Sequence, residues 1–151
     1  MFPEIPLSQR NQFAITDDNL GVATPSQKIE NNIQAIKILN LLEEENRYAT
    51  PEEQTQLSQY VGWGGLPDVF NETHSRYSDL KQLLSEDEYS KARESSLTAF
   101  YTSPVIIKSM YQALEKLGFK TGNILEPSCA VGNFIGMLPE NMKDSKGCYN
   151  S

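Results

Sequence analysis

The sequence is poor in metal ligands and thiols: two cysteines, Cys129 and Cys148, and one histidine, His74, among 151 residues. A structural zinc site takes about four Cys or His ligands. His74 stands alone in a polar, turn-like stretch, so metal binding is not supported. The cysteines carry no flanking ligand residues, which reads as two reduced thiols of a cytosolic protein rather than a disulfide framework. Basic residues are also scarce, with 13 Lys and Arg against 20 Asp and Glu, for a formal net charge of −7. Nucleic-acid modules draw most of their non-specific affinity from basic patches, and no such patch occurs here. Any grip of a larger parent protein on DNA must therefore come largely from residues outside this chain. No apolar run approaches the roughly 20 residues that span a bilayer. Met1-Phe2-Pro3-Glu4 lacks the basic start and apolar stretch of a secretory leader. The expected setting is the cytoplasm, without a membrane.

What is present is the composition of a folded chain, 38% hydrophobic and 22% charged, at most one domain's worth of sequence. Residues 1–23 show no sustained period and read as an arm that packs only locally. Thr24-Pro25 is a helix start, with a capping threonine and a proline where its missing N–H is harmless. Ile29, Ile33, Ile36, Leu39 and Leu42 recur at helical steps, predicting a helix of about twenty residues. Asn46-Arg47 ends it. Thr50-Pro51-Glu52-Glu53 is a capping box opening a second helix, with Leu57, Tyr60 and Val61 on one side. That helix is expected to run into Gly62-Trp63-Gly64-Gly65 and break. The preferred reading of this glycine cluster is a tight turn whose Trp63 plugs the core. The other reading, a ligand-facing loop with a stacking aromatic, lacks any basic residue. Residues 76–94 read as two short helices, the second capped by Ser85 with Glu88.

Near residue 100 the pattern changes. Pro104 opens a helix lined by Ile106, Ile107, Met110, Leu114 and Leu117, with Gly118 as its cap. Asn123–Glu126 follows as a short apolar strand, then the turn Pro127–Gly132 and a helix from about Asn133. The reading is three regions: an arm over 1–23, a helical lead-in over 24–99, and an α/β segment over 100–151. A buried strand ending in a carboxylate, a tight small-residue turn and a helix start together form a nucleotide-type binding corner. A dinucleotide site would carry G-x-G-x-x-G and place a pyrophosphate on the helix. Here only Gly132 is present, and Glu126 would repel that pyrophosphate. An acid with one glycine suits a cationic, phosphate-free cofactor, and S-adenosylmethionine fits that description.

Glu126-Pro127-Ser128-Cys129-Ala130-Val131-Gly132-Asn133-Phe134 resembles the first S-adenosylmethionine motif of adenine-N6 DNA methyltransferases. Phe100-Tyr101-Thr102-Ser103-Pro104 resembles the segment that precedes this motif in that family and closes over the cofactor's methionine end. Further pieces, Phe13–Thr16, Ala23–Pro25, Tyr60–Leu66 and Ser95–Tyr101, are similar to the lead-in of large helicase–methylase proteins of bacterial mobile elements. The resemblance covers residues 13–146. It implies a mainly α chain followed by the start of a Rossmann-like α/β methyltransferase domain with an incomplete sheet. It also implies cofactor contacts from Tyr101, Thr102, Pro104, Glu126, Pro127, Cys129, Ala130, Gly132 and Phe134. In those roles Tyr101 and Thr102 touch the methionine moiety and Glu126 holds the ammonium. The backbone from Cys129 to Gly132 packs on the cofactor, and Phe134 walls the pocket. The family usually has glycine where this chain has Ala130, whose methyl group penalises a left-handed backbone.

The family's Asn-Pro-Pro-aromatic motif, which holds and stacks on the flipped adenine, does not occur in this sequence. Nor does the acid that binds the cofactor ribose after the second strand. DNA is the partner of the intact family, and weak or no DNA binding is expected of this acidic segment. The expectation is a cofactor-motif fragment that is inactive alone. Two alternatives stand beside it. One is a non-enzymatic acidic helical protein that binds a host protein or mimics DNA; the other is a decayed reading frame without function.

Overall fold

The computed structural model describes residues 13–149, for residues 148 and 149 the backbone alone. The outer part of the expected arm, residues 1–12, lies outside the described residues, as do residues 150 and 151 and the pairing state of Cys148. The chain forms two compact units. The first holds residues 21–101; the described part of the second holds residues 13–20 and 102–149. The architecture is mainly helical, with one small two-stranded parallel sheet.

In the first unit, helix α1 runs Pro25–Glu45. Thr24 and Gln27 close a reciprocal capping box at its start, and Asn46 ends it in a left-handed conformation, φ 49°. Asparagine tolerates that region because its short amide bonds locally. Of the expected stripe, Ile29, Ile33 and Leu42 are buried and Ile36 is half-buried, whereas Leu39 faces solvent. Helix α2 spans Pro51–Leu57 behind the capping box of Thr50 and Glu53. Arg47 reaches both Glu53 carboxylate oxygens at 2.7 Å, a bidentate bridge between the end of α1 and the start of α2. These hydrogen bonds, with the one from the Thr50 N–H, hold the Glu53 carboxyl down at about 2.

Helix α2 stops earlier than its apolar pattern predicts, and the cause is tertiary. Asn32 on α1 is fully buried, and its amide finds partners on the segment after α2. Its Nδ2 donates to the Gly62 carbonyl at 2.7 Å, and its Oδ1 accepts from the Val61 N–H at 2.9 Å. A helix continued through Val61 would turn both backbone groups away and strand a buried amide, at about 1–3 kcal/mol per unsatisfied group. The chain leaves the helix instead.

Trp63 then enters the core, 3% exposed, in edge contact with Phe70, with ring centroids 5.5 Å apart. This is the core plug that the glycine cluster predicts. A Cβ on Gly62 would meet the Tyr101 ring at 2.9 Å, and one on Gly64 would run into the Ala99 carbonyl oxygen. Both glycines admit the 99–101 segment to close packing. A 3₁₀ turn over Pro67–Phe70 buries Val69 and Phe70. Helices α3 (Tyr77–Leu83) and α4 (Glu86–Ser95, capped by Ser85 and Glu88) complete the layer. Leu80 and Tyr89 pack from them onto the same cluster as Ile29, Ile33 and Trp63. Fully covering each large aliphatic side chain there contributes about 1.5–3 kcal/mol.

In the second unit, helix α5 covers Pro104–Lys116 and ends through Leu117 into Gly118, φ 87°. Strand β1 (Asn123–Glu126) pairs in parallel with β2 (Lys146–Tyr149), Asn123 opposite Lys146 and Glu126 opposite Tyr149. Between them lie α6, a single turn over Asn133–Gly136, and a short 3₁₀ helix at Glu140–Met142. Ile107, Tyr111, Met137 and Met142 form the core. Residues of the arm are not confined to local contacts. Ile15 donates its N–H to the Gly136 carbonyl at 2.7 Å, and a Cβ on Gly136 would meet the Ile15 side chain at 2.7 Å.

Of the apolar residues predicted to line α5, only Ile107 is buried. Ile106, Met110, Leu114 and Leu117 are all exposed. The sequence marks them as apolar, but the described residues cover them only in part, and Leu117 least.

Candidate functional site

The acid-ended strand, the turn and the helix start predicted from sequence all form within the second unit, but the strand is not buried as expected: Asn123 and Leu125 are exposed, because the sheet has only two strands among the described residues. β1 runs forward to Glu126, half-buried, whose carboxylate Oε1 accepts from the Ser128 N–H at 3.0 Å. That bond ties the carboxylate to the backbone two residues on, at the start of the turn. The turn then closes with Gly132 donating its N–H to the Cys129 carbonyl at 2.7 Å.

Two residues of the turn have a left-handed backbone, Ala130 at φ 46° and Gly132 at φ 78°. Gly132 adopts it at no steric penalty. Ala130 does not, since its Cβ crowds the following carbonyl. Thus Ala130 stands where the backbone needs glycine's freedom and lacks it. A Cβ built on Gly132 meets nothing within 4 Å, so the space over the corner is open. Cys129 is a half-buried free thiol, and Pro127 and Ala130 face solvent.

Phe134 follows on α6, and its carbonyl accepts from the Tyr111 hydroxyl at 2.7 Å, tying α6 to the middle of α5. Phe134 and Glu126 line the same cavity, about 210 Å³, together with Tyr111, Leu114, Ile124 and Leu138. Among the described residues Glu126 is the one charged group in its wall. The sequence pairs Glu126 with Phe134 by motif. It does not announce Tyr111, Leu114 or Leu138, which come to the cavity only through the packing of α5 on the sheet. The one available signal is that the apolar arc of α5 is wider than a helix buries on a single face.

The remaining predicted residues are spread more widely. Pro104 is buried at the first turn of α5, and Thr102 is half-buried just before it. Tyr101 belongs to the first unit, where its ring meets Gly62 and lies 6.4 Å from that of Tyr60. Burial and the neighbouring Tyr101 push the Tyr60 phenol up to about 12. Burial likewise raises the Tyr101 phenol.

Among the described residues no group of three His, Cys, Asp or Glu is placed to hold a metal ion, and no helix is long and apolar enough to cross a membrane. In comparisons with known proteins, no family model, curated protein or solved structure matches the chain.

Proposed function

We propose that the second unit is the cofactor-binding opening of an S-adenosylmethionine-dependent adenine-N6 DNA methyltransferase, and that this chain alone transfers no methyl group. The observation that carries the reading is the corner itself. A parallel strand ends in Glu126, the chain turns through left-handed residues at 130 and 132, and open space lies over Gly132.

The residues fit a cationic ligand. Glu126 keeps one carboxylate oxygen engaged with the turn and is the only charge that the described residues place in the cavity wall, while no basic residue occurs from Asn123 to Phe134. A carboxylate in a largely apolar wall binds an ammonium group more strongly than the same pair does in water. Glu126 would accept hydrogen bonds from the cofactor's ammonium, the backbone from Cys129 to Gly132 would lie against its body, and Phe134 would exclude water at one side. When bound, the cofactor supplies an activated methyl group for an adenine amino nitrogen. Positioning of that adenine requires the Asn-Pro-Pro-aromatic motif, which this sequence does not contain. The net charge of −7 agrees with weak or no affinity for DNA here.

Calorimetric titration of the chain with S-adenosylmethionine tests the reading. Binding tighter than roughly millimolar, about −4 kcal/mol, weakened at least several-fold by Glu126→Gln, is the expected result. No heat with the unaltered chain, or binding indifferent to Glu126→Gln, refutes it.

A further inference from the structure

The first unit holds a cleft that the cofactor reading does not use. Its volume is about 500 Å³, in the range of small-molecule sites, and it lies between α3, α4 and the turn that follows Phe70. Helical spacing assembles its walls. Glu86, Tyr89 and Arg93 stand at steps of three and four on one side of α4, and Tyr77 and Lys81, four apart, share one side of α3. The floor is preformed. The Tyr89 ring meets those of Phe70 and Tyr77 edge-on, with centroids 5.4 and 6.3 Å away, and its hydroxyl donates to the Phe70 carbonyl at 3.2 Å. Lys81 is fixed by two contacts, 2.8 Å from a Glu86 carboxylate oxygen and 4.3 Å from the centre of the Tyr89 ring. That pair of opposite charges is satisfied within the wall. The other two charges are not. Arg93 and Glu72 both line the cleft and both are exposed, yet among the described residues neither has an ion-pair partner, with each other or elsewhere. Burial raises the Tyr89 phenol and the charges of Lys81 and Arg93 oppose it, so Arg93 stands close to this floor.

We propose that this cleft binds a free α-amino acid with an aromatic side chain. The ligand's carboxylate accepts from the Arg93 guanidinium, a planar donor fork that matches two carboxylate oxygens. Its ammonium donates to Glu72. Its ring packs on the uncovered part of Tyr77, in the edge-on geometry that Tyr89 already adopts with Phe70 and Tyr77. The two unpaired charges select a zwitterion over simpler ligands. An anion that meets Arg93 is repelled by Glu72, and a cation that meets Glu72 is repelled by Arg93. Nucleic acid is disfavoured for the same reason, since Glu72 and Glu86 offset Lys81 and Arg93. A metal ion has no ligand set, because no three Asp, Glu, His or Cys converge here among the described residues.

The test is a titration of the full chain with L-phenylalanine, followed by the backbone amide resonances of α3 and α4 in nitrogen-15 NMR. The expected result is saturable binding with a Kd of roughly millimolar. N-acetyl-L-phenylalanine lacks the ammonium and L-phenylalaninamide lacks the carboxylate, and each is expected to bind at least about three-fold more weakly. Arg93→Gln should weaken phenylalanine by a similar factor and abolish the preference for phenylalanine over its amide. Glu72→Gln should abolish the preference over the N-acetyl derivative. Both side chains are exposed, so the fold, followed by circular dichroism, tolerates these changes. Glu94→Gln, at an exposed acid of α4 outside the cleft, is expected to leave binding unchanged. Absence of saturable shifts up to roughly 10 mM overturns the proposal, as does a capped derivative that binds as well as phenylalanine. Binding indifferent to Arg93→Gln and Glu72→Gln, or weakened equally by Glu94→Gln, overturns it too. The cleft shares no residue with the cavity at Glu126, so this proposal and the cofactor reading can fail separately.

Discussion

Replacing Ala130 by glycine is expected to stabilise the second unit, an unusual direction for a glycine substitution. The magnitude follows from two opposing terms. An L-residue held at φ 46° carries about 1–2 kcal/mol of steric strain between its Cβ and the following carbonyl oxygen. Glycine removes that strain. It also widens the unfolded ensemble, which costs about 0.4–1 kcal/mol at a site where alanine would be comfortable. Ala130 is exposed, so almost no packing is lost with its methyl group. The net gain is about 0.5–1 kcal/mol, or roughly 3–6 °C in the melting temperature of a unit of this size. Differential scanning calorimetry measures it. Trp63, the one tryptophan, lies in the first unit, so its fluorescence reports that unit separately. Ala130→Val supplies the converse, since a β-branched side chain is less tolerant still of a left-handed backbone, and its melting temperature should fall. If Ala130→Gly leaves the calorimetric transition unchanged or lowers it, the turn between β1 and α6 does not have the conformation described, and the proposed cofactor corner goes with it.

Asn32→Leu should destabilise the first unit by about 2–4 kcal/mol, because it strands both the Gly62 carbonyl and the Val61 N–H at a buried site. A urea melt followed by Trp63 emission checks this, and a loss below about 0.5 kcal/mol would mean water replaces the amide without penalty. The Glu53 carboxyl is held down from 4.5 to about 2 by Arg47, with help from the Thr50 N–H. Its folded-state value lies below the unfolded one, so its contribution is fully present above about pH 4.5 and is lost as the pH falls towards about 2. The α1–α2 corner should therefore loosen over that acidic window in far-ultraviolet circular dichroism, and Glu53→Gln should flatten this part of the pH profile; an unchanged profile refutes the role of the bridge.

The local grammar of the chain was legible from its residues. Thr24-Pro25, Thr50 with Glu53 and Ser85 with Glu88 each marked a helix start, because a cap is a contact between residues two or three apart and needs no distant partner. Asn123–Glu126 as a strand and the turn ending at Gly132 were readable for the same reason. The length of α2 was not. Leu57, Tyr60 and Val61 have helical spacing, and only a buried amide twenty-nine residues earlier, on Asn32, draws Val61 out of the helix. The left-handed backbone at Ala130 was foreseeable only as a penalty, since alanine by itself gives no reason to adopt it; the closure of the turn imposes it. Most plainly, periodicity showed that Ile106, Met110, Leu114 and Leu117 share one side of a helix, yet it could not say whether that side would be covered. Periodicity records which residues avoid water. What covers them depends on elements far off in sequence, and the described residues cover this face only in part.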